Sequence, residues 1–70
     1  MADSVYAVSE IVGTSTESWE RATANAVERA SRTLRDLRIV EVVQLDATIA
    51  DGRIHTYRAR VKLSFKYEEG

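Results

Sequence analysis

The sequence predicts an α+β fold: a single β-α-β-β unit, in which one helix packs on a three-stranded antiparallel sheet. Three observations carry this. Apolar and small residues recur at three- and four-residue steps from Trp19 to Leu37, which is a helix stripe. The segment from Arg53 to Tyr67 alternates well, which is a strand. Between it and a run rich in β-branched residues stands Asp51-Gly52, a pair suited to the positive φ angles of a type I′ hairpin turn.

The elements follow in order. Val5 to Val12 reads as the first strand, with Tyr6, Val8 and Val12 alternating against Ala7, Ser9 and Ile11. Gly13 is expected to end it. Thr14 and Glu17 then have the T-x-x-E spacing of a capping box, which places the helix start there. Trp19, Ala22, Thr23, Ala26, Val27, Ala30, Leu34 and Leu37 form the apolar stripe, and its alanines allow close approach to a sheet. Trp19 therefore reads as a core residue. Ile39 to Ala50 is the second strand and Arg53 to Tyr67 the third.

A right-handed crossover leaves the first two strands parallel with a gap between them. The third strand fills that gap, antiparallel to both. It places Tyr57, Ala59, Val61, Leu63, Phe65 and Tyr67 on one face, with Arg58, Arg60, Lys62, Ser64 and Lys66 on the other. One helix covers one face. The other face stays open and receives either Val40 and Val42 or Ile39 and Val43, which calls for partner subunits.

Length and composition narrow the function classes. Residues 1–70 make one domain, and a chain this short buries only about 60% of its unfolded surface. Such domains need a staple. With no cysteine and one histidine, His55, disulfides, thiolate zinc and multi-histidine metal sites are excluded. Oligomerisation remains. The net charge of −1 lacks the basic footprint of a nucleic-acid binder. No basic-then-apolar leader or membrane-length apolar run is present, so the expectation is a cytoplasmic protein with no membrane partner. His55 has no accompanying nucleophile and orienting acid, and Ser15 and Ser18 read as helix-start residues, so no enzyme is expected.

The stretch Glu10-Ile11-Val12-Gly13-Thr14-Ser15 before an alanine-rich helix, then Glu41-Val42, then Tyr57 and Val61-x-x-x-Phe65, resembles the dodecins over nearly the whole chain. That resemblance implies a sheet wrapped around its helix and a homododecameric shell. It also implies flavin binding through a tryptophan two residues before Glu41 and a glutamine after Tyr57. Those positions hold Ile39 and Arg58. Isoleucine has no π face for stacking, and arginine has no acceptor for the ring imide. Thr14, Ser15, Ser18, Trp19 and Glu20, the Tyr57-Arg58 pair and Ser64-Phe65-Lys66 are similar instead to the calcium-binding dodecins.

Calcium takes about six to eight oxygen ligands, and no EF-hand loop is present. Glu10, Glu41 and Asp46, gathered at a symmetry axis, are the candidate metal ligands. The structural alternative has Glu41 paired with Arg58 or Arg60 and leaves Glu10 and Asp46 solvated. Arg58, Arg60 and Lys62, with Lys66, form a candidate anion stripe for a phosphate-bearing cofactor such as coenzyme A or FMN. The expected ligand is calcium, with FMN storage and a purely structural or phosphate-binding shell as alternatives.

Overall fold

The computed structural model describes residues 3–67. The order is β1 (Tyr6–Ser15), α1 (Trp19–Ala30), β2 (Leu37–Ala50) and β3 (Arg53–Lys66). The sheet order is β1-β3-β2, with β3 central and antiparallel to both neighbours. The predicted topology is therefore the observed one.

The end of β1 and the start of the helix differ from expectation, for related reasons. Gly13 does not end β1. It pairs with Ala59 in mid-strand, and a Cβ there would lie 2.1 Å from the Ala22 carbonyl oxygen and 2.9 Å from the Ala26 Cβ. The glycine is the point of contact between strand and helix. β1 consequently runs on through Thr14, whose carbonyl accepts from Asn25 Nδ2 at 2.9 Å, and no capping box forms there. Ser18 is the N-cap instead: its Oγ accepts from the Arg21 N–H at 2.9 Å, satisfying a donor that the first helical turn leaves open. The helix also ends earlier than its stripe. Leu34 lies in the connection and Leu37 opens β2, and both still pack on the core.

The core is small. Its buried members are Ala22, Ala26 and Ala30 from the helix and Ala59, Val61 and Leu63 from β3. Trp19 is half-buried at its edge. The helix lies over β1 and β3 and barely reaches β2. Val40, Val42 and Leu45 share the helix-side face with Leu63, Val61 and Ala59, yet remain 41%, 46% and 50% exposed.

Asp51 and Gly52 have φ of 54° and 75°, as a type I′ turn requires. The hairpin they close is long, and it stretches the subunit to 55 × 20 × 14 Å. The radius of gyration is 14.5 Å, against about 11 Å for a compact chain of this length.

Candidate functional site: the charged face of the sheet

The face turned away from the helix carries every sequence-nominated binding residue. Pairing registers place them in rows across the three strands. Thr14, Arg58 and Asp46 form one row; Val12, Arg60 and Gln44 the next; Glu10, Lys62 and Glu41 the third; Val8, Ser64 and Ile39 the fourth. Alternation along a strand puts residues two apart on one face, which aligns Arg58, Arg60 and Lys62 down the middle strand. β2 keeps Ile39, Glu41, Gln44 and Asp46 on that face only because its register shifts between Val42 and Gln44. That shift resolves the choice left open by the sequence. Ile39 lies on the open face, Val43 falls at the irregularity, and Val40 and Val42 lie on the helix side, beyond the helix.

The carboxylates differ in their partners. Asp46 is held twice: Arg58 donates from Nε to Oδ1 at 2.7 Å and from Nη2 to Oδ2 at 3.3 Å. The Trp19 indole N–H donates to the Asp46 backbone carbonyl at 2.9 Å. The Arg58 hydrogen bonds and charge, aided by Arg60, hold the Asp46 carboxyl below its ordinary range, and the Asp46 bond raises Arg58 in turn. Glu10 reaches Arg60 Nη1 at 3.6 Å, a loose contact. Among the described residues no ion pair joins Glu41, which stands across from Lys62.

This corrects the structural alternative read from the sequence. The two arginines close on Asp46 and Glu10 rather than on Glu41, because the register carries Glu41 past them to Lys62. The sequence also missed the indole bond to Asp46. Trp19 sits edge-on to Tyr57 with ring centroids 4.9 Å apart, so this half-buried ring is a clasp between helix and hairpin as well as a core residue.

Ile39 and Arg58 do not meet within one subunit. Ile39 stands beside Ser64, six positions along β3 from Arg58, or about 20 Å at strand rise. Nor do three acidic or histidine side chains converge on a metal position among the described residues. His55 is exposed near the turn, its Nδ1 2.7 Å from Thr56 Oγ1. No helix is long and apolar enough to cross a membrane among the described residues.

Comparison with known proteins agrees with the fold and the motifs. The Dodecin family model matches residues 5–68. The chain is 43% identical over 63 residues to the calcium dodecin of Mycobacterium tuberculosis, covering 90% of this chain and 89% of the relative. It is 38% identical over 65 residues to the dodecin of Thermus thermophilus, covering 93% and 94%. The structure of dodecin from Streptomyces coelicolor superposes with a TM-score of 0.94 at 43% identity, covering 100% of both chains. That of the Mycobacterium tuberculosis calcium dodecin, described as having a novel calcium-binding site, superposes at 0.81 with 39% identity over 94% of each chain. With its β-α-β-β order, its Glu10 to Ser15 stretch and a family match from Val5 onward, the chain belongs to the dodecin family.

Proposed function

We propose that this chain assembles into a homododecameric shell that binds and stores calcium in the cytoplasm, without turning a substrate over. The observation that carries the proposal is the sheet's open face, where Glu10 and Glu41 are presented from two edge strands onto one surface, while Arg58 already holds both carboxylate oxygens of the third candidate, Asp46. A single subunit offers too few oxygens for calcium. Copies related by symmetry would supply the rest, with Glu41, uncommitted to an arginine, as the leading ligand. The calcium dodecin among the relatives and its structure, described as having a novel calcium-binding site, support this choice of ion.

Two features favour a cation over the alternatives. Isoleucine at position 39 offers a flavin ring no stacking surface. Arg58 and Arg60, two members of the basic stripe proposed for a phosphate, already face carboxylates. Calorimetric titration of metal-stripped protein with calcium tests the proposal, run beside an FMN titration followed by fluorescence. Calcium heat with unchanged FMN emission is expected. FMN quenching without calcium heat would replace this reading with flavin storage in a modified pocket.

A further inference from the structure

The row Glu10–Lys62–Glu41 places one ammonium between two carboxylates. Lys62 sits on the central strand and pairs in register with Glu10 on one side and Glu41 on the other. The two glutamates are two strand spacings apart, about 10 Å at Cβ, so their side chains can converge only over the lysine. Lys62 is exposed and, among the described residues, forms no ion pair with either glutamate within 4.0 Å. Its charge is thus not consumed by a closed salt bridge, in contrast with Arg58 on Asp46 at 2.7 Å.

We infer that Lys62 is a specificity-determining residue for cation binding on this face: a tethered resident cation that a divalent ion must displace to bridge Glu10 and Glu41. The inference rests on the proposed calcium-holding role. A divalent ion entering the row meets one positive charge at about 5 Å, the spacing of cross-strand neighbours. In water, after salt screening, that repulsion weakens binding by about fivefold. An ammonium is a compact, mobile point charge on a flexible stem, so it can swing aside when a divalent ion outcompetes it. The expected consequence is a row that rejects monovalent ions, whose single charge gains too little, and admits divalent ions only at raised concentration.

The test compares calcium titrations of the metal-stripped assembly as wild type, Lys62→Met, Lys62→Arg and the double variant Lys62→Met/Glu41→Gln, with each oligomeric state checked by light scattering. Lys62→Met is expected to bind calcium about fivefold more tightly than wild type, Lys62→Arg to match wild type, and the double variant to lose the gain. Binding by wild type that Lys62→Met leaves equal or weaker overturns the inference while sparing the calcium reading. Binding by Lys62→Met alone overturns the calcium reading for the natural chain and, with it, the inference that calcium displaces Lys62 there. No binding by either overturns both, and a gain that survives Glu41→Gln places the ion elsewhere and overturns the inference.

Discussion

At Asp46 the backbone carbonyl is fixed by an indole and the carboxylate by a two-point arginine grip. A carboxyl held below its ordinary value stabilises the fold above the unfolded-state pKa of about 3.9. That contribution is lost as pH falls through the lower folded-state value. Carboxyl chemical shifts followed through an acid titration should therefore show Asp46 titrating below a free aspartate, and Arg58→Gln should return it toward the ordinary range. Gly13 gives a second prediction at this scale. Gly13→Ala drives a Cβ into the Ala22 carbonyl and Ala26, both on helix backbone or its closest side chain, and should cost about 3 kcal/mol, measured by denaturant unfolding. The sequence identified this glycine as special but read it as a strand break. Its role depends on the helix crossing at that point, which no local pattern encodes.

Among the elements, the hairpin was the most legible and its pairing the least. Asp51-Gly52 announced the turn, and the alternation of β3 announced Ala59, Val61 and Leu63 as the buried face. Counting back from the turn, however, would set Asp46 opposite Tyr57. The register shift at Thr48 and Ile49 leaves His55 unpaired and moves Asp46 to Arg58; the shift after Val42 cancels it and returns Glu41 to Lys62, the partner that counting gives. Irregularities of this kind respond to twist and packing rather than to residue type, so the partner of Asp46 could not be read from spacing. The helix start was misplaced because Thr14 and Ser18 are both good caps; the contact at Gly13 keeps Thr14 in the strand and leaves the role to Ser18. Trp19 ties this helix start to the hairpin. Trp19→Phe keeps an aromatic ring but removes the N–H bond to Asp46, and should cost about 1 kcal/mol by thermal or denaturant unfolding.

The whole subunit is poorly suited to existing alone. Among the described residues its buried side chains are four alanines, one valine and one leucine, and its radius of gyration exceeds that of a compact chain. Val40, Val42 and Leu45 lie bare on the helix-side face, with a groove running between Val42, Leu45 and Trp19. Composition leads to the same expectation of partners, since a cysteine-free chain of this length has few other ways to gain stability. Introducing a charge there, as in Leu45→Asp, should split the assembly into smaller species in sedimentation velocity.

Assembly and ion binding together form the central claim, and native mass spectrometry of the metal-stripped protein, before and after adding calcium, reads both at once. The account predicts a dodecamer whose mass rises by bound calcium and whose uptake falls with Glu41→Gln. A monomer, or a dodecamer whose mass calcium leaves unchanged, would contradict it.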